Sequence, residues 1–119
     1  MKHSLLTTIA AVVLVGCASR VQLPDISIHK AAEIGDIRAL KQHLSAGINV
    51  DAVDDNNMTA LHWASLKGQK KVVALLIAKG AHLNAKTSQN LTPLNLADNN
   101  FENEIAELLI ANGASEFVY

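Results

Sequence analysis

Aromatic side chains are scarce in this chain: one Trp, one Tyr and two Phe among 119 residues. That excludes a core built on large rings. The hydrophobic half of the composition falls mainly to Ala, Leu, Ile and Val, and short aliphatic side chains suit closely packed helices better than sheet sandwiches. Cysteine occurs once, which excludes an intrachain disulfide framework and a cysteine-rich zinc site. Positive charge is not in excess either. Ten basic and eleven acidic residues leave a net −1, so no basic field exists to attract nucleic acid. Lys67, Lys70 and Lys71 cluster without interleaved aromatics, the pattern of a solvated helix edge. Long apolar runs are missing as well. The longest, Leu5 to Val15 with two threonines inside it, falls short of the about 20 residues of a bilayer-spanning helix.

That run nevertheless has a recognisable setting. Met1-Lys2-His3 gives a weakly positive start, and the stretch ends in Leu14-Val15-Gly16-Cys17. Its length fits the hydrophobic region of a signal peptide, about 7–15 residues. Residues 1–17 resemble the bacterial lipobox. The resemblance implies cleavage before Cys17 and lipidation of that cysteine, with a palmitate-type acyl group among its chains. Several acyl chains hold a membrane stably where one is marginal. Ala18 and Ser19 follow, with no Asp, which implies an outer-membrane destination facing the periplasm. The organisation expected is a signal peptide over 1–16, a lipidated cysteine and tether over 17–25, and one domain over 26–119. Cleavage removes Lys2 and leaves a net −2. The tether would span on the order of 15 Å.

Within 26–119 the chain repeats itself. Gly47, Gly80 and Gly113 recur every 33 residues, as do Ile28, Leu61 and Leu94, and Ala31, Ala64 and Ala97. Ala52 and Ala85 share the spacing, and His29, His62 and Asn95 occupy one column. A fixed period of this size marks a stacked repeat array. Each unit reads as two short helices. Thr59 and Thr92 are N-cap candidates, and Pro93 stands at a first helical position, where its missing N–H costs nothing. Val72, Val73, Leu75, Leu76 and Ile77, with their counterparts Ile105, Ala106, Leu108, Leu109 and Ile110, predict the second helix and its buried face. Leu61 and Leu75 are both expected inside the shared interior. Asn49 to Met58 and His82 to Leu91 are polar turn segments suited to protruding hairpins.

Thr59-Ala60-Leu61-His62-Trp63-Ala64 and Thr92-Pro93-Leu94-Asn95-Leu96-Ala97, with Gly47 to Ala52 and Gly80 to Ala85, resemble ankyrin repeats over about residues 26–115. The resemblance implies an all-α solenoid of about three helix-turn-helix units, near 26–53, 54–86 and 87–119, joined by β-hairpin-like loops. Three departures stand out. Asn57 and Asn90 replace the hairpin glycine, a substitution that Asn tolerates better than most residues. Phe101 replaces the glycine of the inter-helix turn and predicts an altered last turn. Ile26 replaces the capping threonine of the first unit.

Chemistry is thinly represented. His29, His43, His62 and His82 invite a metal reading, but Asn95 in the shared column is a poor zinc ligand, and the family uses this histidine to bond neighbouring backbone. Asp51, Asp54, Asp55, Asn56 and Asn57 lack the spacing and the closing Glu of a calcium loop and read as turn residues. Ser65 and Ser88 lack a glycine-flanked elbow. Glu102, Glu104 and Glu107 read as a solvated helix edge, and Trp63 as core. The chain is expected to be no enzyme and to need no cofactor, metal, nucleic acid or small-molecule substrate. The family implies protein binding on hairpin tips and first helices. Transferred here, this selects Asp55, Asn56 and Met58, then Ser88, Gln89 and Leu91, with Glu33, Ile34, Leu66, Lys67, Asn99 and Asn100 on the helices. A monomeric, membrane-tethered binding module is expected. Two sharper alternatives stay open: an immunity protein that neutralises an envelope-attacking toxin such as a phospholipase, and a structural or stress-related partner of a periplasmic enzyme.

Overall fold

The computed structural model describes residues 23–115. The predicted signal peptide, Cys17 and most of the tether lie outside them. Six helices occur among the described residues, in three pairs of seven and then nine residues, with no strand. They are α1 (Ile28–Ile34), α2 (Ile37–Ser45), α3 (Ala60–Leu66), α4 (Lys70–Ala78), α5 (Pro93–Asn99) and α6 (Asn103–Ala111). Helices α1, α3 and α5 stack side by side as an inner row, and each packs on its own second helix behind it.

Side-chain size explains the stacking. Ala31, Ala64 and Ala97 are each fully buried, and a methyl group at that column lets successive inner helices approach closely. Leu40, Leu61, Leu76, Ile105 and Leu109 fill the space between the two rows, forming one interior that runs through all three units. A single pair could not bury its own apolar face, so each depends on its neighbour. Leu75 corrects the expectation made for it. Its neighbour Leu76 is fully buried, but Leu75 is only half-buried. It lines an outer groove of ≈ 500 Å³ between α2 and α4.

Local signals set the helix starts. The Thr59 side chain accepts from the His62 backbone N–H while the His62 ring accepts from the Thr59 N–H, and Thr92 and Asn95 form the same reciprocal pair. Each pair satisfies two otherwise free amides of the first turn. In the first unit the Ile26 side chain offers no acceptor. Ser27 caps instead, accepting from the Lys30 N–H at 3.0 Å, and α1 starts one residue later than the register of α3 and α5.

The turn at Phe101 is not altered as expected. Asp36, Gln69 and Glu102 donate their backbone N–H groups to Ala31, Ala64 and Ala97 at 2.9, 2.9 and 2.8 Å, one geometry three times over. Phe101 holds that geometry at φ +59°, where Gly35 and Gly68 stand at +81° and +73°. A residue with a Cβ loses roughly 1–2 kcal/mol in this region. Its ring does not regain this by burial, being 84% exposed. Phe101→Gly is therefore expected to raise stability by about 0.5–1 kcal/mol, net of the greater chain entropy of glycine. A urea midpoint that moves upward with an unchanged slope would show it.

Candidate protein-binding surface

The loops between units are hairpin-like turns without ladder strands. In the first, the Asp54 N–H donates to the Met58 carbonyl at 3.0 Å, closing the turn, and Asn57 takes φ +60°. The Asp54 carboxylate accepts from the Asn56 N–H at 2.9 Å and the Met58 N–H at 3.0 Å, and from the Trp63 indole N–H at 2.8 Å. Burial alone would raise the pKa of this carboxyl, but these hydrogen bonds and the His29 charge outweigh it and hold the pKa below the usual value. Asp54 thus organises the turn. In the second loop Thr87 does the same work with a hydroxyl. Its Oγ1 accepts from the Gln89 and Leu91 N–H groups at 3.1 and 3.2 Å, its own N–H donates to Leu91 at 2.9 Å, and Asn90 takes φ +67°. The two tips are joined directly: Ser88 N–H donates to Asn56 O at 3.1 Å, and Asn57 Nδ2 donates to Lys86 O at 3.0 Å.

Histidines bond this loop layer to the helices. His29 Nε2 lies 2.8 Å from Ala52 O. His62, fully buried, bridges Ala85 O at 2.8 Å and Leu91 O at 3.1 Å through Nε2, while its Nδ1 accepts from the Thr59 N–H at 3.0 Å. Carbonyls only accept and an amide only donates, so the ring is neutral with its hydrogen on Nε2. Burial lowers its pKa below the ordinary histidine value, against the pull of the two carbonyls. His43, also buried, bonds Ile26 O at 2.7 Å. These are backbone-bonding histidines. Among the described residues no group of three or more His, Cys, Asp or Glu is placed to hold a metal ion.

Six of the residues selected from the sequence meet in one place. Asn56 and Met58 from the first tip, Ser88, Gln89 and Leu91 from the second, and Leu66 from α3 line a hollow of ≈ 350 Å³. Met58, Leu66, Leu91 and Leu96 give it an apolar floor, and the tips give it a polar rim. Glu33 and Asp55 belong to a second hollow of ≈ 390 Å³, lined also by Lys30 and Trp63, which is polar and charged. Ion pairs from Glu33 to Lys30 (3.3 Å) and Lys67 (3.9 Å) cross its edge. Ile34, Lys67, Asn99 and Asn100 lie exposed at the ends of the inner helices, in neither hollow.

Three residues of this surface were not selected from the sequence as part of it: Thr87, Leu96 and Trp63. Trp63, expected in the core, does pack against it, but it is only half-buried and also lines the second hollow, where Asp54 holds its indole. Lys30, Trp63 and Leu96 occupy one 33-residue column. Its change from charged to aromatic to aliphatic, in an otherwise regular repeat, was the signal available.

The molecule can now be set beside known proteins. A family model of ankyrin repeats, in three copies, matches residues 28–117. The ankyrin repeat domain of human ASB11, a solved structure, superposes with a TM-score of 0.74 at 32% identity, covering 79% of this chain and 42% of that one. The chain is 48% identical over 44 residues to "Protein VAPYRIN-LIKE" of Medicago truncatula, covering 37% of this chain and 10% of that protein. It is 42% identical over 50 residues to calmodulin-binding transcription activator 3 of Arabidopsis thaliana, covering 42% of this chain and 5% of that protein. The chain thus spans a tenth or less of those two relatives. The ankyrin fold is typically a non-catalytic scaffold for protein–protein interaction. With three stacked helix pairs, reciprocal Thr caps and histidine-anchored loops on the page, the chain belongs to the ankyrin-repeat family.

Proposed function

We propose that this chain is a non-catalytic binding module of the bacterial envelope. It is tethered through a lipid on Cys17, at the outer membrane facing the periplasm, and grips one protein partner in the hollow between the two hairpin tips. The observation that carries the binding reading is the convergence of Asn56, Met58, Leu66, Ser88, Gln89 and Leu91 on a single hollow with an apolar floor. Apolar anchors ringed by polar groups are the usual anatomy of an interface centre.

A photo-crosslinking side chain at Gln89, in full-length protein in living cells, should give a discrete protein adduct. The same probe at Lys79, away from the tips, should not. Equal labelling at the two positions would overturn the reading. The tether is tested separately. Wild type should enter the detergent phase of a two-phase extraction and Cys17→Ser the aqueous phase, and equal partition would remove the anchor from the proposal. A tethered inhibitor would meet a lipid-degrading toxin at its substrate, which favours the immunity reading. Protection against a secreted effector encoded next door supports that role. Copurification with a resident periplasmic enzyme, without protection, supports the enzyme-partner role instead.

A further inference from the structure

The outer row carries a charge pattern that the binding surface does not use. On the solvent face of α2, α4 and α6, one 33-residue column reads Arg38, Lys71, Glu104 and the next reads Lys41, Ala74, Glu107, all six exposed. The back of the stack therefore runs from basic at the first unit to acidic at the third. None of Arg38, Lys41, Lys71 and Glu107 takes part in the ion pairs found among the described residues. Glu104 meets Lys70 of α4 at 3.4 Å, with both side chains more than half exposed, and such a pair contributes about 0–1 kcal/mol and exchanges readily.

We propose that this face docks a second copy of the chain through a two-fold axis parallel to α4. That operation lays the first unit of one copy over the third unit of the other. Arg38 and Lys41 then oppose Glu104 and Glu107 of the second copy, and the reverse pairs form by symmetry. A two-fold axis along the stack instead would set like charge on like charge, so the pattern selects one arrangement. Ala74 falls at the axis, where its methyl group allows close approach. Lys71 also falls there, and its four-carbon stem lets the ammonium swing out to water.

The strength follows from the area. Nine-residue helices rise about 14 Å, and three of them set about 10 Å apart present roughly 400 Å² per copy. A standard interface buries about 800 Å² per partner. The dimer is therefore weak, concentration-dependent and salt-sensitive.

The test is sedimentation equilibrium of the full chain in density-matched detergent. At about 20 mM salt the protein mass should climb toward that of a dimer with rising concentration, and at about 500 mM salt the association should weaken on the order of tenfold. Arg38→Glu/Lys41→Glu and Glu104→Lys/Glu107→Lys should each stay monomeric alone, with unchanged circular dichroism, yet associate when mixed. The quadruple variant should self-associate again. Wild type that stays monomeric at low salt, or double variants that dimerise as well as wild type, would overturn the proposal. So would a quadruple variant that keeps the wild-type circular dichroism and yet stays monomeric.

Discussion

Leu61→Asp is expected to abolish cooperative unfolding. Leu61 is 1% exposed and sits in the column of Ile28 and Leu94, each nearly buried, where the three inner helices press together. A carboxylate there would be dehydrated with no partner, at a cost of several kcal/mol even after local relaxation. A domain of this size holds only roughly 5–15 kcal/mol in total. The middle unit also has an interface on each side, so the damage reaches both neighbours. A thermal melt followed by circular dichroism should lose its sigmoid and decline gradually. A transition as steep as that of wild type would show that the units are not packed through this column. Leu75→Asp, on the outer groove, should cost far less, on the order of 1 kcal/mol, because its half-exposed position leaves a carboxylate in reach of water.

The second large effect is expected at His62. His62→Ala leaves the Thr59 N–H and the Ala85 carbonyl without their histidine partner, and takes one of two donors from the Leu91 carbonyl, which keeps the Thr87 N–H; buried groups stranded in this way cost about 1–3 kcal/mol each. A total loss on the order of 3 kcal/mol is expected, read from the urea midpoint. His62→Asn should recover part of it. Asn95 already makes the equivalent bond to the Thr92 N–H at 3.0 Å, but the shorter side chain falls short of the following loop.

The same ring makes stability depend on pH. Its folded pKa lies below the unfolded value of 6.5. Between those two values the unfolded chain therefore binds more protons than the folded one, and stability rises with pH across that window. The contribution is complete above about pH 6.5 and is lost as pH falls through the folded value. Burial, which strips water from the charged ring, is the main cause of the shift, and a proton forced onto Nδ1 would also point at the Thr59 N–H. Wild type should unfold at lower urea at pH 5.5 than at pH 7.5, and His62→Asn should show a smaller difference.

Much of this was legible in the residues because a repeat states each rule three times. The alanine column and the capping threonines predicted their structural roles through spacing and residue type, and the loop asparagines through the family resemblance. What the sequence hid was of two kinds. Some positions keep a backbone shape despite the wrong residue. Ser27 takes over a cap one place late, and Phe101 is held in a glycine conformation by the hydrogen bonds around it. Others depend on depth within a helix face. Leu75 and Leu76 are adjacent and equally apolar, and both touch the core, yet only the second is fully buried. The tip residues could be chosen by family transfer. That Leu96 and Thr87 complete their hollow emerges only when two loops stand side by side.

The ties within and between units span modest stretches of chain. His29 to Ala52 and His62 to Ala85 bridge 23 residues inside a unit, and the reach from Gln69 to Glu33, between units, bridges 36. Closing such loops loses little entropy, and local topology of this kind speeds folding. Order should spread from any unit that forms first, like a zip rather than a vault, and a frayed end need not bring down the rest. An outer helix pair that loosens on its own would give a small array a way to reshape its edge for a visitor while its centre stays intact.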